Sequence, residues 1–268
     1  MPVYKAEAIV IRRVSLGEAD RLVTLYTRDR GKIATVAKGA RKPKSRFAGR
    51  LELFTHLRAL LAIGRTLDVV SQIEVVEPHA GIRADLQRMG HAAFIAEITD
   101  RATADREAAP ELFAALRSAL RMASVGDAEL AAMWYAAQVL VLTGHGPIVD
   151  RCVICGRGVS RGAVFSLALG GALCQTDRGR DAQASPASAV ALAAMGFLRE
   201  AQAAALSKLA LENRHRDEVA GLLQRYLEYR LETRLKSPPV IQKLRERGNM
   251  GTGERGKAET PKDRSVRS

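Results

Sequence analysis

Short apolar runs rich in β-branched residues alternate with polar turns over the first eighty positions. The runs are 8–13 (AIVIRR), 22–27 (LVTLYT), 32–37 (KIATVA), 51–61 (LELFTHLRALL) and 67–76 (LDVVSQIEVV). Turn-rich segments separate them at 16–20, 29–32 and 63–66, with Gly31 where a tight hairpin needs positive φ. Five short strands in so few residues must close on themselves to bury one face, and this predicts an OB-fold barrel over 1–80, with an SH3-like barrel as the alternative. Helical spacing follows. Leu86, Met89, Ala93 and Ala96 share one stripe within 85–103; Pro110 opens a second helix carrying Leu112, Leu116 and Leu120; Asp127 caps a third with Leu130, Met133, Trp134, Ala137 and Val141, stopped by GHGP at 144–147. Trp134 on that stripe reads as core. Helices resume after 182, with Ser185-Pro186 as cap and first turn, and a last helix over 214–235 that SerProPro at 237–239 should end. The expected organisation is α+β: barrel 1–80, helical domain 81–149 plus 182–245, an insertion at 150–181, and a disordered basic tail from 246 to 268.

Charge adds a destination. The chain of 268 residues carries a net charge of +13, of which fifteen Lys/Arg against eight Asp/Glu lie in residues 1–80 and eight against four in residues 242–268. The densest stretch is Lys38 to Arg50, KGARKPKSRFAGR, with six cations in thirteen residues and no acid. A run of this kind is ordinarily a solvated loop. Set between two strands, it becomes a phosphate contact, because each cation displaces a condensed counterion from a polyanion. The candidate nucleic-acid-binding residues are Lys38, Arg41, Lys42, Lys44, Arg46, Phe47 and Arg50 in the loop, joined by Arg12, Arg13, Arg28, Arg30 and Lys32 from the strands, with an anionic membrane as the second polyanion such charge could meet; Arg21 lies with them. Phe47, between Arg46 and Arg50, is the candidate base-stacking ring, while Tyr26 and Phe54, in strands, read as core.

The insertion holds all three cysteines. Cys152-Val-Ile-Cys155, eighteen residues, then Cys174-Gln-Thr-Asp177 has the two-knuckle spacing of a zinc ribbon, with Asp177 where a fourth Cys would stand. Cys152, Cys155, Cys174 and Asp177 are therefore candidate ligands for Zn²⁺, the alternative being a ribbon that folds without metal. Catalytic machinery is hard to find. There is no P-loop and no His-Glu-x-x-His; the five His (56, 79, 91, 145, 215) are scattered, and the carboxylates stand mostly singly rather than clustered for Mg²⁺. No run reaches membrane-spanning length and the N-terminus lacks a signal-peptide pattern. With an odd cysteine count, this points to a cytoplasmic, non-enzymatic protein.

One resemblance gathers these features. GEADRLVTLYTRDRGKIATVAKGARKPKSRFAGRLELF, then CVICG, GGALC and RYLEYRLETRLKS in that order, is similar to the bacterial recombination mediator family RecO over about residues 1–245. The resemblance implies an N-terminal OB-fold, a helical domain and a zinc-ribbon-like insertion. It also implies a non-catalytic role in recombinational DNA repair of the RecF-pathway type: binding single- and double-stranded DNA, annealing complementary strands, and acting with RecR and single-strand-binding protein so that RecA loads. A zinc-ribbon RNA-binding or transcription accessory protein is the alternative. Because the densest charge follows strand 3, where many OB-folds place a helix, the DNA path is expected on the loop side of the barrel.

Overall fold

The computed structural model describes residues 2–159 and 161–253. Five strands form a closed barrel in the order β1-β2-β3-β5-β4: β1 Val3–Leu16, β2 Asp20–Thr27, β3 Gly31–Ala37, β4 His56–Ala62 and β5 Asp68–Glu77. Neighbours are antiparallel except β3 and β5, whose parallel pairing closes the barrel in the manner of an OB-fold. The interior is small and aliphatic: Ala8, Val10, Val23, Leu25, Leu57, Ala59, Leu61 and Val70. Gly31 takes φ 61 at the β2–β3 hairpin, as its position predicts.

Strand β4 starts five residues later than the apolar pattern of 51–61 suggests. Leu51 to Thr55 are turn residues, and Phe54 sits at φ 71. Their side chains are spent on closure: Leu51 goes with Phe47 into the barrel core, and Phe54 into the core beneath the helices. The connection from β3 to β4 is a chain of tight turns with no helix.

The helical half follows as α1 Ala80–Arg83, α2 Leu86–Ala102, α3 Pro110–Val125, α4 Ala128–Leu142, α5 Ala189–Glu200, α6 Asn213–Arg230 and α7 Ser237–Gly253. Asp85 caps α2, its carboxylate accepting from the amides of Gln87 and Arg88, and Asp127 caps α4 by accepting from Leu130. Helix α4 is almost wholly buried, and Trp134 within it donates its indole N–H to the Ala201 carbonyl at 2.9 Å. One core joins the two halves: Ile9, Ile11 and Tyr26 on the outside of β1 and β2 pack with the helices, and Tyr26 stacks on Phe113 of α3 at 6.5 Å between ring centroids.

Two helix boundaries differ from the sequence expectation. Ser185–Pro186 is a short strand, β8, and α5 begins at Ala189 with Ser188 as its cap. Ser237-Pro-Pro does not end the helical region but opens α7, which crosses α2. Helix therefore continues through 246–253, where the tail was expected to be disordered; the rest of that expectation, 254–268, lies outside the described residues. The insertion forms a three-stranded sheet, with β6 Val164–Ser166 between β7 Gly171–Leu173 and β8. It docks on the helical core through Phe165, edge-on to Tyr226 at 5.3 Å. No helix among the described residues is long and apolar enough to cross a membrane.

Candidate nucleic-acid interface and metal centre

The loop after β3 has a defined seat. The Gly39 amide donates to the Asp20 carboxylate at 2.7 Å, and the Arg41 guanidinium donates to the Gly17 carbonyl at 2.6 Å, fastening the loop to the β1–β2 turn. Successive turns are then closed by Lys42 to Gly39, Ser45 to Lys42, Ala48 to Ser45 and Arg50 to Phe47, each amide donating to the earlier carbonyl. Phe47 anchors the far end from inside the barrel. The six loop cations, Lys38, Arg41, Lys42, Lys44, Arg46 and Arg50, are all exposed, and among the described residues none has a carboxylate within ion-pair distance. A tethered backbone carrying unpaired cations presents concentrated positive potential to solvent.

The strand cations divide differently. Arg13 and Arg21 both engage Glu52, at 2.5 and 3.6 Å. Lys32 is largely buried, 3.2 Å from the Asp100 carboxylate, and joins the barrel to the helical half. Arg28 pairs with Glu7 at 3.7 Å, and Arg12 lies 3.8 Å from Asp100 with much of its side chain exposed. Arg30 covers the Tyr4 ring at 4.3 Å. Arg13 and Lys32 thus serve the fold, and the loop holds most of the free charge.

Phe47 is not the exposed ring that its arginine neighbours suggest. It is 4% exposed, with Arg46 lying over it at 4.9 Å. A ring in that position cannot stack on a base without leaving the barrel core. Tyr26 and Phe54 are buried as expected, and burial pushes the Tyr26 hydroxyl up to about 12, with Glu107 adding to the effect.

In the insertion, ligand atoms of Cys152, Cys155, Cys174 and Asp177 all lie within 4.8 Å of one another. The Cys155 and Cys174 sulfurs are 3.8 Å apart, and the Asp177 Oδ2 is 3.3 Å from the sulfurs of both Cys152 and Cys174. Tetrahedral zinc with ordinary Zn–S and Zn–O bonds needs S···S of about 3.8 Å and S···O of about 3.5 Å. The residues fit the ion. Burial opposes ionisation of Cys152, yet backbone amides of Cys155, Cys174 and Ile154 bring its thiol below the usual range. Thiol donors from Cys155, Cys174 and Cys152 hold the Asp177 carboxyl below its usual range. Cys152, Cys155, Cys174 and Asp177 could hold Zn²⁺, which would crosslink the two knuckles of the ribbon.

Sequence reasoning had no signal for the cavity of about 500 Å³ between α2, α4, α6 and α7. His91, Phe94 and Met133 line it, and Arg245 on α7 pairs at its rim with Glu129 and with Asp217. Its rim is of mixed charge.

Comparison with known proteins covers both halves. The family model for Recombination protein O N terminal matches residues 1–79, and that for Recombination protein O C terminal matches residues 83–239. A DNA repair protein RecO of Pelotomaculum thermopropionicum is 37% identical over 237 residues, spanning 88% of this chain and 93% of its own. Proteins of the same name from Desulforudis audaxviator and Frankia casuarinae are each 36% identical over 91% of this chain and 98% and 100% of theirs.

Proposed function

The chain belongs to the Recombination protein O family, and from that premise we propose that it is a non-catalytic, DNA-binding mediator of recombinational repair. The observation that carries the reading is the tethered loop between β3 and β4, whose six exposed cations have no ion-pair partner among the described residues. Lys38, Arg41, Lys42, Lys44, Arg46 and Arg50 hold phosphates of one or two strands and read no bases. Repulsion between two phosphate backbones opposes annealing, and a surface that neutralises both lowers that barrier. The single- and double-stranded DNA so held is handed on in concert with RecR and single-strand-binding protein, so that RecA loads. Zinc in the ribbon would act on the fold and takes no part in the contact. The family match in both halves leaves the RNA-binding or transcription-accessory alternative without support of its own.

Contact with six phosphates gives log K against log salt a slope of about −4 to −5. Replacing Lys42, Lys44 and Arg46 by Glu, which spares the Arg41 tether, should remove most of the affinity and the annealing activity while the thermal midpoint holds. Binding and salt slope like those of the unaltered protein would overturn the assignment of the loop.

A further inference from the structure

The barrel's outer surface carries an apolar row that neither core covers. Cross-strand partners share a face, so the register fixes its members: Val14 opposite Leu22, Leu22 opposite Val36, and Val36 opposite Val69. The next residues along β2 and β3, Val23 and Ala37, belong to the barrel interior, which puts Leu22 and Val36 outside. Val14 is 50% exposed, and Leu16, two residues along the same face, 43%. Leu22, Val36 and Val69 are half-buried, and none of the row packs against either core. At the usual strand spacing four strands make the row about 14 Å long.

We propose that this row is a platform for unpaired nucleobases: single-stranded nucleic acid lies with its bases against Val14, Leu22, Val36 and Val69 and its phosphates on the basic loop. The proposal rests on the reading of that loop as a phosphate contact. The loop leaves β3 just past Val36, and the bonds from Gly39 to Asp20 and from Arg41 to Gly17 bring it to the turn beside Leu16. Cations therefore stand along one end of an apolar strip, and Arg12 flanks Val14 on the same face. Asp20, opposite Leu16, already accepts from Gly39.

A ligand suited to this surface is anionic along one edge and flat and apolar along the other. Single strands are so built; a duplex hides its base faces. The rings that could have stacked, Tyr26, Phe47 and Phe54, are buried, so the aliphatic row is the apolar surface left beside the loop. Aliphatic contact accepts any base, in keeping with a protein that reads no sequence.

The test compares oligothymidylate with a duplex of equal phosphate count. Val14→Ser combined with Val36→Thr, which keeps a β-branched residue in the strand, should weaken oligothymidylate binding about tenfold by removing apolar contact. Duplex affinity and the salt slope should not change. Leu16→Trp supplies a gain-of-signal variant, because the one natural tryptophan, Trp134, is buried. Its fluorescence should be quenched by oligothymidylate and not by duplex. Equal losses on both ligands, or an unquenched Trp at saturating oligothymidylate, would overturn the platform while leaving the loop in place. An unaltered protein that binds neither ligand at low salt would sink the loop reading, and the platform with it. A Val14→Ser and Val36→Thr variant that changes sedimentation but keeps its affinities would make the row a contact between copies, and the proposal would fall.

Discussion

Two imidazoles should make the folded chain sensitive to mild acid. The His79 side chain is fully buried between β5 and α1; Glu77 stands 3.5 Å from its Nδ1, but among the described residues neither ring nitrogen has a hydrogen-bond partner. Burial brings its pKa down to about 4; Glu77 opposes this, while His56, Arg83 and Arg121 reinforce it. His91, on α2 facing α7, is also brought down to about 4, by burial first and then by Arg245, against Asp127 and Asp85. With the folded pKa below the unfolded one, the unfolded chain binds more protons in this interval. The stability is fully present above the unfolded pKa, near 6.5, and is lost as pH falls toward 4. At pH 5 each histidine costs about 2 kcal/mol relative to pH 7.5, and the pair about 4 kcal/mol. That is a large part of the roughly 5–15 kcal/mol that a domain commands. Asp68 and Asp181 are held below the usual carboxylate range and titrate beneath this window. The assay is urea denaturation followed by far-ultraviolet circular dichroism between pH 7.5 and pH 5. His91→Leu should remove about half of the loss, about 2 kcal/mol. A midpoint constant over this range, or a His91→Leu protein with the full pH slope, would refute the reasoning.

Two further outcomes follow from the geometry. Glu97 accepts from the Lys236 amide at 2.8 Å, the Ser237 amide at 2.8 Å and the Ser237 hydroxyl at 2.6 Å. Glu97→Gln should cost about 1–3 kcal/mol and speed amide exchange in α7, as read by exchange mass spectrometry. Asp177→Cys completes a four-thiolate set and should retain zinc against a chromophoric chelator better than the unaltered protein, with Asp177→Ala worse; elemental analysis of protein purified without chelator gives the occupancy.

Where periodicity and local capping decide the structure, the chain is readable. The five strands, the Asp127 cap, the buried Trp134 and the closeness of Cys152, Cys155, Cys174 and Asp177 all follow from spacing. What failed to show was contact between distant segments. Phe47 is polar in its neighbourhood, and only the folded loop turns it into the barrel. Ser237-Pro-Pro reads as a stop because proline breaks helices, yet prolines in a first turn give up no bond the helix could have made. The acceptor that starts α7 is Glu97, 140 residues away, beyond any local window. The outer apolar row likewise becomes visible only through register, since its members come from four separate strands.

The bond between Glu97 and Ser237 also imposes an order on synthesis. The barrel needs little beyond residue 77 to pair all its strands, so it can close while the rest is being made. Helix α2 has no such independence. Gly90 lets α7 approach so closely that a methyl group there would stand 3.2 Å from Ile241 and 3.3 Å from Leu244. The face that α7 covers waits for more than a hundred residues to be translated. An interrupted chain would leave the ribosome as a finished barrel joined to an open apolar helix surface. The distance along the chain between those two helices thus sets how long that apolar face stays uncovered during translation.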